Sequence, residues 1–257
     1  MSILDTIVEE KRKVVEFLKT SDYLTSIKTN EFKSYSFKDA LNKTQLSLIA
    51  EVKKASPSKG VINPNFNHKD LALTYYNSGA SALSVLTDER FFQGHNSYLM
   101  DIKNQIELPV LRKDFIIDPI QIEESACMGA DAILLIAAIL SVQQAQELID
   151  CAREKQLDIL LEIHDFNDFE KILALKSVDI IGINNRNLNS FEVDLNTAIV
   201  LKKEIIKHFS NVCCVAESGY DCDLQLKKLS EEGFSGVLIG EGLVTNKAMI
   251  EYFKNEN

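Results

Sequence analysis

Residues 158–164 read DILLEIH. Apolar side chains stand at both odd and even positions of this run. Successive side chains of an extended chain point to opposite sides, so both faces of such a strand are apolar. A strand covered on both faces belongs to a parallel sheet lying under helices, because an antiparallel sheet with one wet face would alternate. The glutamate inside the run has no packing reason to be there, and an unpaired charge is costly to bury.

Seven more runs share this character: LSLIAEV (46–52), ALSVLT (82–87), LPVLRKD (108–114), DAILLIAA (131–138), DIIGINN (179–185), VCCVAES (212–218) and GVLIGEG (236–242). Their starts lie roughly 20 to 35 residues apart, enough for a helix and two loops between consecutive strands. The spacers carry helix punctuation. Residues 66–78 stop before Gly79, residues 119–128 start at Pro119 and stop before Gly129, residues 141–156 start at a capping Ser141, and residues 221–232 stop before Gly233. Eight strand–helix units predict an α/β chain folded as a single (β/α)8 TIM barrel. A doubly wound open sheet is the competing arrangement; it typically carries an early G-x-G-x-x-G, and the sequence has none.

Upstream, residues 2–19 place Ile3, Leu4, Ile7, Val8, Val14, Val15 and Leu18 mainly along one helical face, which predicts an added N-terminal helix covering a barrel end. With only 4 Pro and 10 Gly, spread along the chain, no linker is visible. The expected organisation is therefore one domain over 1–257, with a helical extension at 1–45 and the barrel at 46–257.

The 257 residues carry a net charge of -10, which disfavours nucleic acid as a partner because its phosphates would be repelled. The one basic run, Lys11-Arg12-Lys13, is flanked by Glu9, Glu10 and Glu16 and reads as a solvated helix face. The longest apolar run, Ala132 to Leu140, is too short to span a bilayer, and MSILDTIVEEKRK is too charged for a signal peptide. Cys127, Cys151, Cys213, Cys214 and Cys222 form no CxxC pair and read as reduced, buried thiols of a cytoplasmic protein. Cys213 and Cys214 are neighbours on one strand and face opposite ways. The four histidines have no metal-ligand spacing.

Barrel active sites lie at the carboxyl ends of the strands, so the last inward positions are the candidates. Taking Glu51 and Lys53 as inward on the first strand, the charges at these positions are Lys113 on the third, Glu162 on the fifth and Glu217 on the seventh. The sixth adds Asn184, with Arg186 just beyond. One such charge alone reads as a solvated rim group. Together, on odd strands that can share one level of the mouth, they read as a site that moves protons around an anionic substrate. Ser218-Gly219 after the seventh strand and Gly240-Glu241-Gly242 after the eighth occupy the usual phosphate position of this fold.

EVKKASPSKG, LTDERFFQG, LRKDFIID, LLEIHDF, IGINNRNL, AESGY and LIGEGLV occur in the order seen in the indole-3-glycerol phosphate synthase family, and ILDTIVEEKRKVVE at the N-terminus is similar too. The resemblance spans nearly the whole chain. It implies ring closure of 1-(2-carboxyphenylamino)-1-deoxyribulose 5-phosphate with loss of carbon dioxide and water, a carboxy-lyase step of tryptophan biosynthesis. It further implies Lys113 as general acid, Glu162 as base for dehydration and Lys53 as a substrate contact and second acid, the division between the two lysines remaining open. Glu51, Asn184 and Glu217 would line the reacting centre, and Arg186 the carboxylate region. Ser56, Ser218, Gly219, Gly240 and Glu241 would surround the phosphate, and Phe115 and Leu238 would contact the aromatic ring. Residues 56–60 would form a lid whose Lys59 draws in the polyanion. No redox step occurs, so the resemblance implies no cofactor. The expected partner is a small-molecule substrate, with neither nucleic acid nor membrane, and association with other tryptophan-pathway enzymes has no signature in these motifs.

Two departures stand out: Asn187 where relatives often have Asp, and Glu241 where some have Ser. Two rivals remain. A sugar-phosphate isomerase would share the phosphate loops without needing Lys53, Lys113 and Glu162 together. A noncatalytic phosphometabolite-binding protein would lose the proton-transfer groups.

Overall fold

The computed structural model describes residues 3–27, 31–188, 190–246 and 248–256. Eight parallel strands close on themselves: β1 (Ser47–Val52), β2 (Ala82–Leu86), β3 (Val110–Lys113), β4 (Ala132–Ile136), β5 (Asp158–Ile163), β6 (Ile180–Asn184), β7 (Cys213–Glu217) and β8 (Gly236–Ile239). Each pairs with its sequence neighbours, and β8 pairs back onto β1 through Ser47 and Gly236. This is the predicted (β/α)8 barrel, and all eight apolar runs became its strands.

The punctuation residues act as expected. Ser141 caps the helix Val142–Glu154 in a reciprocal arrangement with Gln144. Pro119 opens Pro119–Cys127, where Asp118 and Gln121 form a second capping box. The helices His68–Asn77 and Asp223–Glu231 fall inside their predicted spans.

Side-chain parity divides the core in two. Ile49, Leu111, Leu134, Leu160, Ile180, Val215 and Leu238 fill the barrel interior. Leu48, Leu83, Ile133, Leu161, Ile181 and Val237 face the helices. Cys213 belongs to the inner cluster and Cys214 to the outer one, as their adjacency predicts. None of the five cysteines forms a disulfide; Cys213 and Cys214 are buried, while the other three are half-buried rather than buried as expected.

The N-terminal segment covers both ends of the barrel. Its long helix, Ile3–Thr20, buries Ile7, Val15 and Leu18, and Ile3, Leu4 and Ile7 line the cavity at the carboxyl ends of the strands. Val14 turns outward instead, and Ser2 lies outside the described residues. A short helix, Phe37–Leu41, capped by Ser36, inserts fully buried Phe37 and Leu41 into the inner core. Beside it, Asp158 at the amino end of β5 accepts a hydrogen bond from the Lys38 backbone N–H at 2.8 Å.

The expectation that Lys11-Arg12-Lys13 is a solvated face needs correction. Arg12 and Lys13 are exposed and pair with Glu9 and Glu10. Lys11 is only 5% exposed and lies 2.8 Å from Asp88 and 2.6 Å from Asp114. The clue was periodic: Lys11 is four residues from both Ile7 and Val15, on the buried stripe of the helix.

Candidate active site

The carboxyl ends of the strands surround a cavity of about 390 Å³. Glu51, Lys53, Lys113, Glu162, Asn184 and Glu217 all line it. So do Ser56, Phe115, Arg186, Ser218, Gly219, Leu238, Gly240 and Glu241. Every candidate residue taken from the sequence therefore faces one space.

Lys113 ends β3 and is the hub. Its Nζ is 3.2 Å from Glu162 Oε2 and 3.6 Å from Glu217 Oε2. β5 and β7 supply these carboxylates from across the barrel, which only a closed sheet allows. Between them, β6 offers Gly182, in register with Glu162. A Cβ on Gly182 would stand 2.1 Å from Glu217 Oε1, so the absence of a side chain is what makes room for that carboxylate. On the other side Glu51 accepts a hydrogen bond from the Lys53 ammonium. Lys53 lies one residue past β1 and still turns to the same side as Glu51.

The charges set one another's protonation. Burial disfavours the Lys113 ammonium, but Glu162, Glu217 and Glu51 outweigh it, and the amine stays protonated far above neutrality. Burial likewise opposes the Glu162 carboxylate, yet Lys113 and His164 hold its pKa well below the usual range. Glu51 is lowered too, with Lys53 and then Lys113 overcoming burial. Glu217 goes the other way: burial and the neighbouring Glu162 charge push its pKa well up, because two adjacent carboxylates resist ionising together. The resting cluster thus holds an ammonium donor, an ionised acceptor and a carboxyl that readily keeps its proton.

Around this centre, Asn184 Oδ1 accepts the Arg186 backbone N–H at 3.0 Å, and the Arg186 guanidinium donates to the Phe191 carbonyl at 3.0 Å. Leu134, Ile136, Leu188 and Leu238 give the cavity apolar wall. Residues Ala55–Ser56 and Gly60–Val61 form a small antiparallel ribbon at the mouth. The Lys59 ammonium pairs there with Glu241, so the charge expected to attract substrate is countered by a carboxylate of the β8 loop.

Three features escaped the sequence reading. Arg112, beside Lys113 but on the outer face of β3, is 2% exposed and donates to Glu124 (2.6 Å), Ser125 (2.9 Å) and the Gln121 carbonyl (3.0 Å). Asp114 receives Lys11, Arg112, the Thr87 hydroxyl and the Phe115 N–H. His164, which follows β5, lies 3.0 Å from Glu162 through Nε2. For Arg112 the signal was a charge of outward parity in an apolar strand.

Among the described residues, no group of three or more His, Cys, Asp or Glu is arranged to hold a metal ion, and no helix is long and apolar enough to cross a membrane.

The chain matches the family model described as indole-3-glycerol phosphate synthase over residues 4–254. Among its relatives, the indole-3-glycerol phosphate synthase of Bacillus pumilus is 49% identical over 245 residues, covering 94% of each chain. That of Priestia megaterium is 46% identical, covering 94% of this chain and 92% of its own. That of Chloroherpeton thalassium is 41% identical over the full length of both. A chain from a structure of the tryptophan synthase α2β2 complex of Pyrococcus furiosus superposes with a TM-score of 0.57 at 15% identity, covering 81% of this chain and 94% of that one, a likeness of fold alone.

Proposed function

The chain belongs to the indole-3-glycerol phosphate synthase family, and from that membership we propose how its residues share the work. The reaction closes the indole ring of 1-(2-carboxyphenylamino)-1-deoxyribulose 5-phosphate with loss of carbon dioxide and water. It makes the chain a carbon–carbon lyase of tryptophan biosynthesis.

The aromatic carbon attacks the substrate carbonyl, whose oxygen must gain a proton. Lys113 is the acid we assign, with Lys53 the second ammonium on the opposite wall. Closure leaves a cationic ring, and Glu51 and the Glu162–Glu217 pair favour that charge. The carbon–carboxylate bond then breaks, and its electron pair restores the aromatic ring. In the dehydration, an ammonium protonates the departing hydroxyl while Glu162 takes the carbon-bound proton. The pairing of Lys113 with Glu162 at 3.2 Å carries this assignment, since acid and base can then act on adjacent atoms of one ligand.

Arg186 binds the ring carboxylate in this scheme. Ser56, Ser218, Gly219, Gly240 and Glu241 surround the phosphate, with the Glu241 backbone N–H rather than its side chain as donor. Phe115 and Leu238 hold the aromatic ring. The whole chain acts as one domain, a reading supported by the burial of Phe37 and Leu41 inside the barrel. The cytoplasm is the compartment we assign, and the buried thiols of Cys213 and Cys214 fit a reducing environment.

Incubation of the purified protein with the carboxyphenylamino substrate, without added metal or cofactor, tests the assignment. Indole fluorescence is expected to rise against the low background of a chain that lacks tryptophan. Absence of indole formation by folded protein would reject it.

A further inference from the structure

The proposed reaction consumes protons unequally. One proton goes to the carbonyl oxygen at ring closure and one to the hydroxyl that leaves as water. Only one returns, from carbon to Glu162. The carboxylate departs as neutral carbon dioxide. With Lys113 as donor of both protons, each turnover leaves the cluster of Lys113, Glu162 and Glu217 one proton short, and water must make up the deficit. While substrate fills the mouth, that route is blocked by the reacting molecule itself.

A second cavity, of about 680 Å³, adjoins the first along Leu4, Leu188 and Val193 and is lined by His164, Asp165, Asp168, Glu192 and Asp194 among others. Glu162 faces the first cavity, and His164 and Asp168 face the second. The imidazole bridges them: Nε2 is 3.0 Å from Glu162 Oε1, and Nδ1 is 3.3 Å from Asp168 Oδ2. Nε2 is buried, and its contact with Glu162 is an ion pair rather than a well-aligned hydrogen bond. Asp168 also accepts the His164 backbone N–H at 3.1 Å, which fixes the ring's base.

We propose that His164 is the proton inlet of this site, passing to Glu162 the one proton that each turnover takes from water. The Nε2–H bond breaks, an O–H bond forms on Glu162, and the carboxyl hands that proton on to Lys113. The imidazole is left neutral with its remaining proton towards Asp168. The ring then turns about its Cβ–Cγ bond and takes a proton at the vacated nitrogen from water of the second cavity, an O–H bond of that water breaking and hydroxide leaving to the solvent. His164 acts through Glu162 and is a positioning residue for the reaction, so the inference rests on the assignment of Glu162 as the base.

The charges facing the ring are Glu162 from its own strand, Asp165 capping the helix Phe166–Ile172, Asp168 within that helix, Lys171 at 3.7 Å from Asp168, Glu217 beyond Glu162 from β7, and Glu192 and Asp194 across the second cavity. Burial lowers the imidazole pKa, but Asp168 and Glu162 outweigh it and lift it to about 9. The ring is therefore charged at neutral pH and discharges as pH rises through about 9. Turnover is expected to fall over that range.

Three variants and the unaltered protein decide. His164→Gln keeps a polar side chain but has no proton it can give up near neutral pH; its kcat is expected to drop at least about tenfold with KM within about twofold, and the alkaline fall near pH 9 to vanish. His164→Ala should regain kcat in proportion to added imidazole, which a purely structural loss would not do. Wild-type kcat and pH profile in His164→Gln, or a loss in His164→Ala that imidazole leaves untouched, would overturn the inlet. Should His164→Ala not fold, a kcat of the unaltered protein that stays flat through pH 10 overturns it alone. Glu162→Gln separates the two levels: if that variant turns over normally, the assignment of the base has failed; if it is inactive while His164→Gln behaves as wild type, only the inlet has.

Discussion

Lys11 lies 2.6 Å from Asp114, 103 positions further along the chain and next to Lys113. The N-terminal helix thus fastens the end of the strand that carries the proposed acid. Asp114 is buried, which opposes its charge, but Lys11 and Arg112 hold its pKa far below the usual carboxylate range. Removing one partner of a buried pair leaves the other charge uncompensated. Lys11→Met is expected to cost about 3–5 kcal/mol in denaturant unfolding. A change under about 1 kcal/mol would count against the clamp.

The same pair fixes the sign of a pH effect. Asp114 has a folded pKa below its unfolded value of about 3.9, so its contribution is complete above that value and disappears as pH falls towards the folded one. The unaltered protein should lose stability below about pH 4, and Lys11→Met should show a shallower loss there because the Asp114 pKa has risen. Identical slopes in paired acid titrations of unfolding free energy would contradict this origin.

Lys113→Ala is expected to remove most turnover, about 10²- to 10⁴-fold in kcat, while the protein stays folded. The Lys113 side chain projects into the cavity and contributes little to the apolar core. Its loss leaves Glu162 and Glu217 facing each other without the shared cation, so the apparent pKa of Glu162 should climb as well. Steady-state indole formation combined with a thermal melt checks both halves. Wild-type rates from a folded variant would remove Lys113 from the role of acid.

For Glu162→Gln, the expected loss is in kcat, with KM within about threefold. The amide keeps the shape and can still accept a hydrogen bond from Lys113, but it cannot take a proton from carbon. A defect confined to KM would identify Glu162 as a binding group instead.

What the chain reveals in its sequence alone depends on sequence distance. Glu162 betrayed itself within seven residues, as a carboxylate inside an apolar run. The strands were legible for the same local reason, and Pro119, Ser141 and Gly79 marked helix ends that the chain uses. Lys11 was not legible as a buried group, because its partners Asp88 and Asp114 are brought to it only by folding. Parity explains Arg112: it was eclipsed by Lys113, although its outward direction in a covered strand already demanded a buried partner. The Phe37–Leu41 plug gave two apolar residues and a Ser36 cap, too short a pattern to specify that it closes the barrel floor. The pairing of Lys59 with Glu241 is likewise a contact between loops, which no periodicity encodes.

Gly182→Ala tests the room left for Glu217. The added Cβ would fall 2.1 Å from Glu217 Oε1, in the wall of a closed barrel where the backbone has little freedom to shift. The carboxylate must turn away, which parts it from Lys113. An activity loss of about tenfold or more is expected, with stability lowered by only about 1–3 kcal/mol, the usual cost of overpacking. Full activity would show that the position of Glu217 is not critical to turnover.

Lys59 and Glu241 give a prediction in which two neighbouring substitutions act in opposite directions. The Lys59 side chain is 52% exposed and its partner Glu241 33% exposed, so the pair contributes little to stability. Its effect should fall on substrate capture. Glu241 places a carboxylate in the loop proposed to receive phosphate, and it occupies the ammonium that would otherwise attract that phosphate. Glu241→Gln removes the repulsion and releases Lys59, so KM should fall by about two- to fivefold at low ionic strength, and the gain should shrink as salt is added. Lys59→Ala should raise KM by a similar factor. In the double variant no cation remains to be released, and the benefit of Glu241→Gln should be smaller than in the parent. KM values measured across a salt series for the four proteins provide the cycle. If Glu241→Gln raises KM, the carboxylate is helping to hold the ribbon in its binding position rather than competing with substrate for Lys59.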